Sequence, residues 1–349
     1  MTVEEKYMYR CLQLALNGKG FVMPNPMVGA VIVHNGKIIG EGYHRRYGEP
    51  HAEVNAIASV KDKNLLQEAT IYVSLEPCSH YGKTPPCAQL IIDSKIPKAV
   101  VACFDPYPAV SGKGIEMLRK ADVEVCIGVL EKEATELNKE FITTQTSDRP
   151  YIYLKWAQTQ DGFIDKERAD AAKPTPTPIS DSFTRMLVHK KRAETAGIMV
   201  GTNTAIKDNP SLTTRLWYGH NPVRIVLDRE GRIPSDYRIF DDETKTLIFT
   251  EDINNKPNTA YCEFIPVNFD SYLLQNIFLN LKNRKINSIL VEGGRQLLQS
   301  LIDCGIWDEA FIEVSEIEFG KGIKAPIIQG KIIEEHFLRN SKQIYIKPL

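Results

Sequence analysis

Apolar residues in the first half of the chain recur with helical and extended spacing in turn. Residues 3–17 place apolar and aromatic side chains on one helical face, and Gly18 ends that predicted helix. Two apolar runs, 28–33 and 37–42, flank Asn35-Gly36, a pair typical of a hairpin turn. The pattern continues with helix 52–60, strand 70–75, helix 87–92, strand 98–103, helix 113–121, strand 123–129 and helix 131–146. This order predicts a layered α/β domain.

A second α/β pattern begins after a short polar segment. Residues 146–150 are polar and end in Pro150, which indicates a boundary between a first domain, 1–147, and a second domain, 148–349. The predicted elements of the second domain are strands 151–157, 197–201, 223–228, 245–250 and 288–291, helices 181–193, 271–283 and 295–303, and a proline-punctuated loop at 166–178.

Composition and charge narrow the class of protein. The 349-residue chain is 43% hydrophobic and 25% charged, with a net charge of −1, which is a normal globular balance. No apolar run approaches the roughly 20 residues of a membrane helix, and the N-terminus has no signal core. We therefore expect a cytoplasmic protein without a membrane partner. The seven cysteines, an odd number in a long chain, argue against a disulfide framework. The net charge shows no excess of basic residues of the kind that binds nucleic acid.

Candidate chemistry concentrates between residues 51 and 87. His51, Cys78 and Cys87 supply one imidazole and two thiolates, a ligand set that can hold Zn²⁺ with the fourth position left to water. His51 lies at the start of a predicted helix, Cys78 follows a strand, and Cys87 opens a helix. Glu53 lies two residues beyond His51, where it can serve that water as general acid and base without binding the metal. This is the pattern of a zinc deaminase.

Two features keep other interpretations open. The cysteines are separated by eight residues, whereas zinc deaminases usually have Cys-x-x-Cys. His80 lies inside that interval and could complete a closed four-ligand site. The zinc would then be structural, and the protein would be a binding module. A zinc ion carrying a water molecule would exclude this alternative.

Residues 76–87, which read EPCSHYGKTPPC, resemble without a gap the long metal loop of the bifunctional riboflavin-biosynthesis deaminase–reductase (RibD) family. The resemblance implies a cytidine-deaminase-like α/β/α layered fold, one Zn²⁺ per chain on the three ligands above, and Glu53 as the catalytic residue. Tyr107 departs from the family's Asp-Pro-Asn-Pro segment. The substrate contacts that the resemblance implies in this domain are Asn25, His44, Lys83 and Asp105.

Near the end of the second domain, a predicted strand runs directly into two glycines. Strand 288–291 is followed by Glu292, Gly293 and Gly294, and Arg295 opens the next helix. A helix N-terminus behind glycines can bind phosphate through its free amide groups. On its own, such a pair is more often a tight turn, and the Gly-x-Gly-x-x-Gly fingerprint is absent.

The second domain resembles the reductase half of the same family. The matching segments are 154–155, 161–162, 200–204, 208–213 and 291–294. The resemblance implies a dihydrofolate-reductase-like α/β fold with NADPH bordered by Gln158, Thr204, Asp208, Gly293, Gly294 and Arg295. The substrate contacts that it implies are Lys155, Arg192, Leu212, Arg215 and Glu292. Two arginines suit a phosphomonoester, which guanidinium groups bind through paired hydrogen bonds.

The resemblance implies two successive reactions. The first domain would deaminate 2,5-diamino-6-(ribosylamino)-4(3H)-pyrimidinone 5′-phosphate, and the second would reduce the ribosyl chain of 5-amino-6-(5-phosphoribosylamino)uracil to ribityl. We expect a homo-oligomer, a dimer or tetramer, that acts on small phosphorylated pyrimidines. One alternative is a deaminase with a degenerate reductase domain, because residues 176–180 read PTPIS where the family commonly has Ser-x-Trp-Ile-Thr, so that Pro178 replaces the tryptophan.

Overall fold

The computed structural model describes residues 1–80, 85–107, 111–168, 174–253 and 258–349. The chain divides into two units, Met1–Ser147 and Asp148–Leu349, each with its own sheet and hydrophobic core. Within the described ranges, we find no helix whose length and apolarity would let it cross a lipid bilayer.

The first unit is built on a five-stranded sheet. Its strands are Gly29–His34 (β1), Lys37–Tyr43 (β2), Thr70–Val73 (β3), Lys98–Val101 (β4) and Glu124–Ile127 (β5). Its helices are Val3–Leu16 (α1), Ala52–Ser59 (α2), Cys87–Asp93 (α3), Lys113–Lys120 (α4), Glu131–Leu137 (α5) and Lys139–Thr146 (α6), with a 3₁₀ helix at Lys63–Glu68. The strand order is β2-β1-β3-β4-β5, in which β1 is antiparallel to both neighbours and β3, β4 and β5 are parallel.

Alternate side chains of these strands enter two apolar layers. Ile32 and Ile71 belong to a cluster with residues of α2, α3 and α4, whereas Val31 and Tyr72 belong to a cluster with residues of α1 and α5. Successive side chains of a strand point to opposite faces, so each layer takes every second residue. The α/β/α layering confirms the predicted fold class of this unit.

The single helix predicted over 131–146 is wrong, because the structure breaks it at Asn138. The buried Asn138 side chain accepts a hydrogen bond from the Met27 N–H at 2.8 Å and donates one to the Met27 carbonyl at 2.9 Å. Helical spacing carries no information about a partner so far away in sequence. The two bonds fix the segment that carries Asn25.

The second unit is built on a nine-stranded sheet and a two-stranded one. Its strands are Tyr151–Gln158 (β6), Phe163–Asp165 (β7), Gly197–Gly201 (β8), Val223–Leu227 (β9), Thr246–Thr250 (β10), Cys262–Pro266 (β11), Ser288–Val291 (β12), Glu309–Ser315 (β13), Ile323–Lys324 (β14), Lys331–Leu338 (β15) and Ser341–Lys347 (β16). Its helices are Ser182–Ala193 (α7), Thr202–Asp208 (α8), Leu273–Asn283 (α9) and Arg295–Asp303 (α10), with a 3₁₀ helix at Arg238–Phe240.

The order of the large sheet is β11-β10-β9-β8-β12-β6-β13-β16-β15. All its pairs from β11 to β13 are parallel, and β16 is antiparallel to both β13 and β15. The parallel strands therefore share one carboxyl edge, where ligands bind in α/β folds. This arrangement confirms the predicted α/β class of the second unit.

Several elements of this unit were not predicted: α8, β7, β11 and β13–β16. Strand β15 forms the edge of the large sheet, and nearly all its residues are exposed, so its sequence has no alternation of buried and exposed positions. Helix α8 begins Thr202-Asn203-Thr204, three residues of low helix propensity.

Candidate active sites

Three side chains of the first unit form a metal-binding geometry. His51 Nδ1 lies 3.7 Å from Cys78 Sγ and 3.4 Å from Cys87 Sγ, and the three ligand atoms are within 4.8 Å of one another. Tetrahedral zinc with ordinary Zn–N and Zn–S bonds holds such atoms about 3.6 Å apart. Two thiolates with one imidazole are also a donor set that suits zinc. The residues present therefore fit one Zn²⁺.

Rigid elements position these ligands. His51 is the residue before α2, and its side chain caps no amide of that helix. Gly42 of β2 allows the close approach of α2, because a Cβ at Gly42 would lie 2.3 Å from the Ala56 nitrogen. Cys87 is the first residue of α3, and its N–H donates to Cys78 Sγ at 3.3 Å. The hydrogen bond from the Cys87 side chain lowers the pKa of the Cys78 thiol.

Glu53 lies in the first turn of α2, beside this group. Its side chain is almost completely buried, with 3% of the residue exposed. Burial raises the pKa of Glu53 to about 6, whereas His51 lowers it. A carboxyl group that titrates near neutral pH can accept and return a proton within one turnover.

His44 and Asn25 meet next to the metal ligands. His44 is buried, its Nδ1 donates to the Pro50 carbonyl at 3.2 Å, and its Nε2 accepts from Asn25 Nδ2 at 3.4 Å. Burial lowers the pKa of His44, which favours this neutral form. The His44 ring meets the His51 ring edge-on, with centroids 5.5 Å apart. The structure thus brings two of the four predicted substrate residues of this domain, Asn25 and His44, to the metal group.

Glu76 organises the other side of the site, although its sequence position suggested no role. One carboxylate oxygen accepts from the N–H groups of Asp105 at 3.2 Å and Gly112 at 2.9 Å. The other accepts from Gly114 at 2.9 Å and Ile115 at 3.4 Å. A charged residue between Leu75 and Pro77, at the end of a buried strand, was the available signal. A buried carboxylate needs such partners.

Asp105 and its neighbours are only partly covered by the structure. The Asp105 carboxylate accepts from the Tyr107 N–H at 2.8 Å, and burial raises its pKa. Lys83 and Pro108 lie outside the described residues. His80 is exposed and does not join the metal group. The four-ligand alternative therefore finds no fourth ligand in the described part of the chain.

A cavity of about 1310 Å³ opens at the carboxyl edge of the second unit's parallel strands. Residues that follow β8 and β12 line it, together with residues of β6 and α10. Its volume is ample for a dinucleotide, since pockets for smaller ligands measure about 300–1,000 Å³. The predicted residues that line it are Lys155, Thr204, Asp208, Glu292, Gly293, Gly294 and Arg295.

The two glycines make room at the N-terminus of α10. A Cβ on Gly293 would lie 2.9 Å from Val200 Cγ1, and a Cβ on Gly294 would lie 3.0 Å from Thr204 Oγ1. Gly294 also has a φ of +68°, which favours glycine. The open backbone at this helix start can take the phosphate groups of a dinucleotide, so the residues present fit NADPH.

Arg192 and Glu292 form a buried pair close to Lys155. Arg192 donates from Nε and Nη2 to the two oxygens of Glu292 at 2.8 and 2.6 Å, and from Nη1 to the Thr213 carbonyl at 3.1 Å. Burial raises the pKa of Glu292, but Arg192 outweighs it and the net pKa is lowered. Burial lowers the pKa of Lys155, whereas Glu292 and Glu313 raise it. Among the described residues, the bonds to Glu292 and Thr213 use three of the five N–H groups of Arg192.

Arg215 is an exposed side chain on a firmly held backbone. Its N–H donates to His189 Nδ1 at 2.9 Å, and its Nη1 donates to Thr213 Oγ1 at 2.8 Å. The fully buried Arg224 donates from Nε to the Ser211 carbonyl at 2.8 Å. The next residue, Leu212, is buried and has a φ of +53°. Sequence patterns missed His189 and Arg224. The signal for Arg224 was a lone charge inside an apolar strand.

Asp208 is held by Arg168, a residue that we did not predict. Arg168 Nη2 donates to Asp208 Oδ1 at 2.7 Å and to Asp165 Oδ2 at 2.5 Å. Thr177 Oγ1 donates to the other Asp165 oxygen at 2.5 Å. Burial raises the pKa of Asp208, and Arg168 opposes that shift. These bonds join β7, α8 and residues 174–180 beside the cavity.

Residues 176–180 line the cavity without the expected tryptophan, but another tryptophan is present. Trp156 of β6 lines the cavity, and its Nε1 donates to Gln158 Oε1 at 2.8 Å. Pro178 lines the same cavity. Trp156 itself is buried in the hydrophobic core, and Gln158 contacts it rather than lining the cavity.

Together the fold and the two sites define a zinc-dependent deaminase joined to a nucleotide-dependent reductase. Residues 1–103 match the cytidine and deoxycytidylate deaminase zinc-binding region, and residues 150–344 match the RibD C-terminal domain. The chain belongs to the RibD family of bifunctional deaminase–reductases of riboflavin biosynthesis, which use Zn²⁺ and NADPH.

Individual relatives match nearly the whole chain. The riboflavin biosynthesis protein RibD of Aquifex aeolicus is 40% identical over 345 residues, covering 98% of this chain and 95% of the relative. The Escherichia coli RibD is 36% identical, covering 89% and 87%.

Two solved structures superpose over both units. A Thermotoga maritima deaminase/reductase matches with a TM-score of 0.89 and 38% identity, covering 99% of each chain. Acinetobacter baumannii RibD matches with a TM-score of 0.88 and 30% identity, also covering 99% of each chain. The matches include the reductase half, and so they favour the bifunctional reading over the deaminase-only alternative.

Proposed function

We propose that residues 1–147 deaminate 2,5-diamino-6-(ribosylamino)-4(3H)-pyrimidinone 5′-phosphate and that residues 148–349 reduce the resulting 5-amino-6-(5-phosphoribosylamino)uracil, the substrate in the T. maritima relative's name. The observation that carries the proposal is the group of His51, Cys78 and Cys87 with the buried carboxyl of Glu53 beside it.

In the deaminase unit, His51 and the two cysteines hold zinc. Bound zinc supplies a water molecule whose pKa is lowered toward ~7. The Glu53 carboxyl would accept a proton beside the metal ligands and return it to the amine of the substrate, which leaves as ammonia. Asn25 and the neutral His44 orient the pyrimidine against the metal ligands, with Asp105 and Lys83 as further substrate contacts.

In the reductase unit, Arg215 and Arg192 bind the 5′-phosphate. Bound NADPH supplies the hydride. Lys155 places its ammonium beside the sugar carbonyl, where it stabilises developing negative charge. Glu292 holds Arg192 in place, and Leu212 shapes the substrate side. The cofactor is bordered by Gln158, Thr204, Asp208, Gly293, Gly294 and Arg295.

Location and assembly belong to the same proposal. A cytoplasmic homo-oligomer, a dimer or tetramer with no nucleic-acid or membrane partner, stays a prediction from the sequence.

The test assays both half-reactions on one preparation. Glu53→Gln should keep stoichiometric zinc and lose ammonia release by about 10²–10⁴-fold, because general acid–base catalysis contributes that much. NADPH oxidation should remain when the deaminated intermediate is supplied. Glu116→Gln, which changes an exposed carboxylate of the same unit, is the matched control. A Glu53→Gln enzyme with wild-type ammonia release would reject the assigned role.

A further inference from the structure

Glu313 is a buried carboxylate near Lys155 that the proposed reaction does not use. It lies on β13 opposite Ala157 of β6, and Lys155 is opposite Phe311 in the same register. Residues 155 and 157 share one face of β6, so Glu313 and Lys155 belong to the same face of the sheet. Only 2% of Glu313 is exposed.

The two oxygens of this carboxylate differ in their contacts. Oε2 accepts a hydrogen bond from Ser180 Oγ at 2.5 Å. Oε1 is fully buried and has no hydrogen-bond partner among the described residues. Buried polar atoms are nearly always bonded, so an exception points to a role beyond local packing.

The charges around Lys155 show what Glu313 can do. Glu292, at the end of β12, is already paired with Arg192 of α7 through two hydrogen bonds. Lys191, also on α7, lies with its Nζ 5.0 Å from the Phe311 ring and adds a further positive charge near this face. Of these two carboxylates, Glu292 is hydrogen-bonded to an arginine, whereas Glu313 is hydrogen-bonded to the neutral hydroxyl of Ser180.

We propose that Glu313 is a positioning residue: its carboxylate, on the same face of the sheet, acts through its charge on the Lys155 ammonium in the reductase cleft. Ser180 extends this arrangement to residues 176–180, which line the same cleft. Residues 176–180, which lack the family's tryptophan, are thus hydrogen-bonded through Ser180 to the carboxylate whose charge acts on Lys155. This inference rests on the proposed role of Lys155.

The first measurement follows Lys155 itself, without catalysis. Reductive methylation labels only the neutral amine, and mass spectrometry of the Lys155 peptide gives its labelling midpoint as a function of pH. In Glu313→Gln the midpoint should fall by between about one and two pH units, since a partly buried charge is screened by an effective dielectric constant of about 20. Glu316→Gln, an exposed carboxylate on the same segment, should leave the midpoint unchanged.

Two gentler variants keep the test decisive if Glu313→Gln does not fold. Glu313→Asp keeps the charge and should hold the midpoint near that of the wild type. Ser180→Ala removes the hydroxyl that shares the carboxylate's charge, so the midpoint should rise. A midpoint that stays fixed in Glu313→Gln, or fails to rise in Ser180→Ala, would overturn the proposal.

The second measurement is the pH profile of kcat for NADPH oxidation. Its alkaline limb should move to lower pH in Glu313→Gln by the same amount as the labelling midpoint. If the midpoint moves while the limb stays, the inference about Glu313 holds and the proposed catalytic role of Lys155 is wrong. A purely structural role would lower kcat at every pH and move neither quantity.

Discussion

Glu76→Gln should uncouple the metal loop from the segment that carries Asp105. Glu76 accepts four backbone N–H groups, two on each oxygen. A glutamine keeps one acceptor oxygen and turns an NH₂ group toward two donors, from which it can accept nothing. The less costly orientation gives up the bonds from Gly114 at 2.9 Å and Ile115 at 3.4 Å. At about 1.5–3 kcal/mol for each bond to a charged acceptor, the loss is about 3–6 kcal/mol if both count fully.

Such a loss is large beside the 5–15 kcal/mol that stabilises a typical domain. The three tryptophans, Trp156, Trp217 and Trp307, all lie in the second unit, so tryptophan fluorescence reports the unfolding of that unit. Zinc release to a chromogenic chelator reports the first unit. In Glu76→Gln, zinc should be released at clearly lower urea concentration, while the fluorescence transition stays in place. Equal zinc-release midpoints for variant and wild type, with full ammonia release, would refute this reasoning.

Three further variants test the remaining assignments. Cys78→Ala should lose stoichiometric zinc, since only two donors remain, and undiminished zinc by elemental analysis would reject that ligand. Arg215→Ala should weaken the reductase step by about 1.5–3 kcal/mol through lost phosphate binding and leave ammonia release unchanged. A parallel fall of both rates would contradict separate sites. Burial and two nearby arginines lower the pKa of His189 to about 4, below the usual 6.5. Below pH 6.5 the unfolded chain takes up a proton on His189 that the folded protein does not. The free energy of unfolding is therefore highest above pH 6.5 and decreases by up to about 3 kcal/mol as the pH falls through 4. The fluorescence-detected urea midpoint should therefore fall more on acidification in the wild type than in His189→Gln.

The metal group could be predicted because its members are chemically distinctive and sit at element ends. His51 and Cys87 mark helix starts, and Cys78 follows a strand, so local patterns already placed all three on rigid backbone. Glu53 followed from its spacing to His51. None of these inferences required a long-range contact. The assignments of individual roles stay predictions until the variants are measured.

The anchoring residues could not be predicted, because their partners are remote in sequence. Glu76 binds N–H groups that lie 29 to 39 residues away, and Arg224 binds a carbonyl 13 residues away. No spacing rule connects such pairs, since backbone N–H and carbonyl groups are identical at every position. The break at Asn138 has the same origin. Edge strand β15 escaped prediction for a different reason, because exposure on nearly all positions removes the period-two pattern.

These anchors suggest how the two sites fail when the sequence changes. Glu76 accepts a hydrogen bond from the backbone N–H of Asp105, and His189 accepts one from the backbone N–H of Arg215. A substitution of Glu76 or His189 therefore leaves the side chain of Asp105 or Arg215 intact. The contact group is then present but displaced. Because small displacements of reacting groups raise the barrier more than they weaken ground-state binding, anchor variants should lower kcat more than they raise KM. Variants of the contact residues should show the opposite balance, and that difference separates residues that touch the substrate from residues that hold them.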